Sequence, residues 1–337
     1  MEHNRRARPT VRLLAEDLHA NWEDPHYTRA IADGRWDTIQ PLGELPHPLL
    51  RKAAAMYGPD PRQDPAPRLI GCSGDLRLRE LRNAQWRAGI WTDPATGVRW
   101  VVTAGLAKGD HQDDDDFYKL LERQVAKPDR GSSLLPTSQD FTLLKRETAA
   151  WALTRWHLDI QNRIAVALRG IRSTRTVVVE LPQTPSRQPS RIGRVEIEFD
   201  NIPDDGTPRE EFTLTFELEP AHQASRWGWL AMERVLISVA PPVQDWDRHQ
   251  NHAWVICEVG HLDRQGWCID AADSRSELLS AEQGAVGHYT HSAHIAEASV
   301  NGTAIRAMCG VVFVPMRDPD QLPVCPRCAE QFATLPS

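Results

Sequence analysis

The 337-residue chain has no long apolar run. Its apolar runs, such as Trp100-Val101-Val102-Thr103-Ala104 and Val311-Val312-Phe313-Val314, fall far short of the ~20 residues a spanning helix needs. The charged start, Met1 to Pro9, is followed by no apolar stretch of the secretory-signal kind, so a cytoplasmic protein is expected. Phosphate cradles are missing as well. Neither G-x-x-x-x-G-K-[ST] nor G-x-G-x-x-G occurs, which removes the usual basis for nucleotide hydrolysis and dinucleotide redox chemistry. No G-x-S-x-G elbow marks a hydrolase nucleophile. Lys is scarce, standing only at 52, 108, 119, 127 and 145, so nearly all of the 39 basic residues are Arg. Acids number 46 and the net charge is −7, which excludes a generic basic coat for nucleic acid and makes any such contact local. The six Cys of a cytosolic chain point to metal binding or isolated thiols over disulfides.

What is present is an ordinary globular composition, 41% hydrophobic and 25% charged. The length suits two or three domains. Residues 1–65 have helical composition at Val11–Ala15 and Pro48–Tyr57, closed by a proline-rich linker, Gly58 to Pro65. Strands are expected at Leu76–Arg82, Trp86–Asp93 and Val98–Gly105, with Pro94 to Gly97 as the turn between the last two. The acids Asp113 to Asp116 stand where a helix N-terminus belongs, before Phe117–Leu121. Apolar residues at 141, 144, 151, 156, 160, 164, 168 and 171 predict one long amphipathic helix. From Thr176 the period falls to two, predicting strands at Thr176–Leu181, Val195–Phe199, Phe212–Leu218 and Trp254–Val259. Trp227 to Val239 fits strand or helix. The expected fold is therefore α+β, with mainly antiparallel sheets, a long central helix and a C-terminal zinc ribbon-like unit. The expected division is a helical region 1–65, a small basic α+β module 66–127, a helix plus β-rich domain 138–280 and a zinc-binding unit 286–333.

The sharpest chemical signal lies in the last fifty residues. Cys325-Pro326-Arg327-Cys328 is a C-x2-C turn that lets two thiolates meet one ion. Cys309 supplies a third sulfur and His288 the expected fourth ligand, with His291 and His294 as alternatives. Three thiolates and one imidazole complete a tetrahedron, so the expected Zn2+ is structural rather than catalytic. His288-Tyr289, Glu297–Gly302, Ala307–Pro315, Arg317-Asp318-Pro319 and Leu322–Cys328 together resemble the DUF3039 family of small actinobacterial proteins of unknown function. The family's HY pair maps onto His288. The resemblance implies a zinc ribbon-like unit and an actinobacterial or phage source, and it implies no reaction.

Residues 66–108 hold seven basic and three acidic side chains, against the acidic balance of the whole. The Leu-Arg-Glu-Leu-Arg run, the Trp86-Arg87-Ala88 strand and the apolar strand ending at Lys108 resemble the sheet of RelE/HigB-type toxins. That resemblance implies RNA cleavage without metal, in which cationic side chains stabilise phosphate charge as the 2′-OH attacks. Arg79, Arg82, Arg87 and Lys108 are the expected nucleic-acid contacts, with His111 as a proton donor or acceptor. The function expected is a nucleic-acid-directed module of a regulatory or defence system, non-catalytic or weakly catalytic, contacting RNA or DNA. The alternatives are a scaffold or adaptor with a protein partner and a metal-independent ribonuclease. Cys257 and Cys268 stand at no ligand spacing. Cys257 reads as a small hydrophobe, with a thiol paired to His252 or His261 as the remote alternative.

Overall fold

The computed structural model describes residues 7–58, 60–109, 113–202, 208–241, 246–280, 286–291, 295, 305–309, 312–313 and 322–335. The chain divides into two compact units, Met1–Trp151 and Ala152–Ser337.

The first unit is built on a four-stranded sheet in the order β1-β4-β3-β2. The strands β2 (Arg79–Asn83), β3 (Trp86–Thr92) and β4 (Arg99–Leu106) form an antiparallel meander. β1 (Arg8–Pro9) adds a short parallel edge, with Arg8 opposite Trp100. β4 is apolar along almost its whole length because both faces of the sheet are covered. One face joins Leu81, Ala88, Ile90 and Val101 to the N-terminal region, through Leu13, Leu14, Leu49, Leu50 and Tyr57. That region contains a π-helical turn at Leu13–Asp17 and the helices α1 (Pro25–Ala32) and α2 (Pro48–Met56). Asp24 and His47 cap α1 and α2, and Pro fills the first position of each helix, where a missing N–H costs nothing. The opposite face joins Leu78, Trp100 and Val102 to Phe117 and Leu121 of α3 (Phe117–Val125).

The expected boundary near residue 65 is absent. Residues 7–57 and the sheet share one hydrophobic core, and Asp64 of the proline-rich stretch is bonded to β4. The Asp64 carboxylate, 6% exposed, lies 3.2 Å from Arg99, whose guanidinium also sits over the Tyr57 ring. The start of α4 (Ser138–Thr174) belongs to this unit too: Glu147, nearly buried, pairs with Arg8 at 2.6 Å and accepts the Leu42 N–H.

The second unit holds a five-stranded, wholly antiparallel sheet in the order β5-β6-β7-β9-β8. Its strands are β5 (Thr176–Glu180), β6 (Gly193–Ile202), β7 (Arg209–Leu218), β8 (Asp247–His249) and β9 (His252–Glu258). One face carries Val195, Ile197, Phe199, Phe212, Leu214, Phe216, Ala253 and Val255 into a core. The period-two alternation of the sequence is this face and its opposite. The core is closed by Ile160, Ile164, Leu168 and Ile171 of α4, Val235 of α5 (Arg226–Val239) and Ile269 of α6 (His261–Ser274). The apolar stripe of the 37-residue α4 thus serves two cores, Leu143 and Leu144 in the first unit and Trp156 to Ile171 in the second.

α6 was not expected. Its N-cap is Gly260, which has no side chain to bond the first N–H groups. Glu210 of β7, 1% exposed, reaches across and accepts from Gly260 N and Leu262 N at 3.0 and 2.8 Å. The C-terminal part adds a two-stranded antiparallel pair, β10 (Ile305–Arg306) and β11 (Val312–Phe313), and the helix α7 (Pro326–Ala333).

Candidate metal centre and cationic cleft

His288, Cys309, Cys325 and Cys328 converge. Their ligating atoms lie within 4.8 Å of one another, and the three cysteines are buried. Each element contributes for a local reason. Cys325 is the N-cap of α7, and Pro326 starts the helix where no N–H is needed. Cys328, one turn on, therefore faces the same point in space. Cys309 sits in a turn after β10. His288 is placed by a two-residue parallel bridge: Cys325 N donates to Gly287 O, and Gly287 N donates to Pro323 O, both at 2.8 Å. The ring of Tyr289 packs on Phe332, tying this segment to α7.

The spacing within the cluster is that of a coordination sphere. His288 Nδ1 is 3.3 Å from Cys309 Sγ and 3.7 Å from Cys328 Sγ. Tetrahedral bonds of ~2.3 Å to sulfur and ~2.0 Å to nitrogen separate such atoms by about 3.6 Å. Hydrogen bonds from backbone N–H groups, led by that of Cys328, draw the Cys325 thiol below its ordinary pKa against the opposing effect of burial, favouring thiolate. The assignment of His288 over His291 follows the geometry, since His291 is not among the four. His294 lies outside the described residues. The surrounding core is small, with Ala307, Val286 and Met308 beside the cysteines. The C-x2-C pair opens a helix, so the unit combines one short β pair with a helix.

The basic residues expected to contact nucleic acid divide. Arg82 and Arg87 stand opposite each other in the β2–β3 register and flank the same carboxylate, Glu80. Arg82 Nη2 lies 2.6 Å from it and Arg87 Nε 3.9 Å, while the Tyr118 hydroxyl of α3 also donates to it. Arg79 does not join them: neighbouring strand residues point to opposite faces, and Arg79 donates to Pro67 O at 2.7 Å. Lys108 is not a free cation either. Its ammonium is 2.5 Å from Asp115 and 3.8 Å from Asp113, and its N–H bonds Asp116. The run of acids acts locally: Asp116, fully buried, caps α3 through Tyr118 N. His111 lies outside the described residues.

Nothing in the pattern singled out Glu80 and Tyr118, since one acid in an alternating basic strand reads as a solvated face. Its side chain is in fact 5% exposed. Burial disfavours its charge, yet hydrogen bonds from Arg82 and Tyr118 and the two guanidinium charges outweigh burial and hold its pKa below the ordinary carboxylate value. The same contact, added to burial, raises the phenol of Tyr118. These groups line a cleft of about 330 Å³ with Arg68, Cys72, Ile70 and Arg82 at its walls. Elsewhere, Cys257 is a core residue of the second sheet, His252 bonds Thr215 Oγ1, and buried His261 donates to Val239 O. None of these contacts pairs a thiol with an imidazole.

Among the described residues no helix is long and apolar enough to cross a membrane. No curated protein and no solved structure matches the chain, and the likeness of residues 67–125 to RelE/HigB-type toxins has no counterpart in these comparisons. Residues 280–335, which contain the His288, Cys309, Cys325 and Cys328 cluster, match the family described as "Protein of unknown function (DUF3039)".

Proposed function

We propose that the chain is a nucleic-acid-directed protein that holds the phosphate backbone of RNA at the Glu80–Tyr118 cleft, and that zinc closes its C-terminal unit. The observation that carries the first part is the meeting of Arg82 and Arg87 across the β2–β3 hairpin beside a cleft that Arg68 also lines. The lining holds two guanidinium groups and one buried carboxylate, and exposed Arg68 and Arg82 can turn to a phosphate while Arg87 stays on the Ala84 and Trp86 carbonyls beside Glu80. Zinc suits the second part because soft thiolates with one imidazole in a closed tetrahedron select it and leave no open position for substrate.

Binding of a labelled single-stranded RNA 20-mer, measured across salt concentrations, tests this. Each phosphate contact contributes a slope of about −0.7 to log K against log salt. Arg68→Ala and Arg82→Ala should each weaken binding regardless of RNA sequence and reduce that slope by close to one contact. Salt-independent binding, or unchanged affinity in both variants, overturns the proposal. The buried Glu80–Tyr118 hydrogen bond favours one extension, metal-independent cleavage, since it places a proton acceptor and a donor beside the arginines. RNA would then be cut in the presence of chelator and DNA would be inert, with Arg82→Ala slowing cleavage more than it weakens binding.

A further inference from the structure

The net charge of −7 is unevenly placed. Residues 1–151 carry 22 basic and 22 acidic side chains, while residues 152–337 carry 17 and 24. Much of that surplus lies on one surface, the face of the five-stranded sheet turned away from its core. Glu196, Glu198 and Asp200 alternate along β6 with the buried Val195, Ile197 and Phe199. They form a column with about 7 Å between successive carboxylates. Arg194 and Arg209 are already taken by Glu217 and Glu211 at 2.7 and 2.5 Å. Among the described residues no cation pairs with the three β6 acids.

Two strands over, the same face turns apolar. The registers place Thr213 between Glu198 and Trp254, and Glu211 between Asp200 and Ile256. Trp254 is 38% and Ile256 57% exposed, on a strand whose alternate residues, Ala253 and Val255, are fully buried. A sheet normally covers both faces or keeps one polar. This one is neither: an acidic column and an apolar pair stand about 10 Å apart, two inter-strand spacings.

We infer that this face docks a basic amphipathic segment of a partner protein, its apolar side chains on Trp254 and Ile256 and its Lys or Arg side chains over Glu196, Glu198 and Asp200. About 10 Å is the width of one helix laid on a sheet, so a single segment spans both features. Charge decides the occupant. A nucleic acid is repelled by the column, and a second copy would bring an equally acidic second unit to it. The surface belongs to the second unit, and the inference does not rest on the function proposed for the cleft of the first.

The test uses the full chain and a fluorescein-labelled 14-residue leucine–lysine amphipathic peptide, with its leucine–glutamate counterpart as control, read by anisotropy. The lysine peptide should bind at least tenfold tighter than the glutamate one. The double variant Glu196→Gln with Glu198→Gln, and Trp254→Ser separately, should each weaken it at least fivefold. Asp270→Asn with Asp273→Asn makes the same charge change on α6 and should leave it within twofold. All these side chains are at the surface, and circular dichroism checks that each variant folds. Equal losses in the α6 control, no discrimination between the peptides, or unchanged affinity in both face variants overturns the proposal. So does a dimer of the chain in sedimentation that Trp254→Ser dissociates, since the occupant would then be a second copy.

Discussion

Replacing Glu80 by Gln keeps the volume and the acceptor for Tyr118 and removes only the charge. Taking one partner from a buried ion pair costs about 3–5 kcal/mol, because the other is left without compensation. Two features of this site reduce that figure. Arg82 is 56% exposed and regains water when released. Arg87 is only 18% exposed, but its Nη1 keeps the carbonyls of Ala84 and Trp86 as acceptors, so it is not left wholly without compensation. The expected cost is about 2–3 kcal/mol, after discounting the solvated partner. For a unit of roughly 150 residues that is a fall in Tm of about 4–12 °C. The assay is thermal unfolding of the full chain, with hydrogen exchange of the β2–β3 amides to localise the loss. The pH dependence is the sharper part. A carboxylate with a depressed folded pKa adds stability above its unfolded pKa and loses it as pH falls through the folded value. Wild type and Glu80→Gln should therefore differ at pH 7 and converge only as pH falls below the ordinary carboxylate range and through the depressed folded value of Glu80. A difference that persists unchanged into acid, or no difference at pH 7, would refute the claim that the buried charge organises Arg82 and Arg87.

The chain should carry about one equivalent of zinc, lost in Cys328→Ser and kept in His291→Ala; chelation should abolish exchange protection at 322–335 while the β2–β3 amides stay protected, because so small a core depends on its metal. Gly193→Ala should destabilise the second unit by about 3 kcal/mol in denaturant unfolding, since φ there is +134° and an added Cβ would lie 2.1 Å from Glu217 O. His157, whose pKa burial and then nearby Arg234 lower to about 4, should titrate there by NMR. Its unfolded form binds protons first, so it favours folding above about pH 6.5 and progressively opposes it between 6.5 and 4, and His157→Gln should flatten stability over that window.

The elements that follow from pattern alone were legible. Spacings of three and four from 141 to 171 marked α4, and strict alternation marked β6 and β7, because one buried face imposes its own period. The convergence of His288, Cys309, Cys325 and Cys328 was legible for a similar reason: Cys325 and Cys328 lie one helical turn apart, and thiols have few other uses in such an arrangement. What the sequence could not supply were interactions between residues distant along the chain. β1 is two residues long and includes Pro9; it exists because β4 offers a free edge. α6 starts at a glycine, and its cap is Glu210, some fifty residues earlier. The sign of the 66–108 charge excess was readable, but its use was not. Pleat direction put Arg79 on the other face, the loop acids took Lys108, and Tyr118 of α3 joined Arg82 and Arg87 around Glu80. Local sequence thus determined the period and composition of each element. Only tertiary packing decided which charges were buried, which were neutralised and which remained to meet a ligand, because those outcomes depend on desolvation and on partners brought together by the fold.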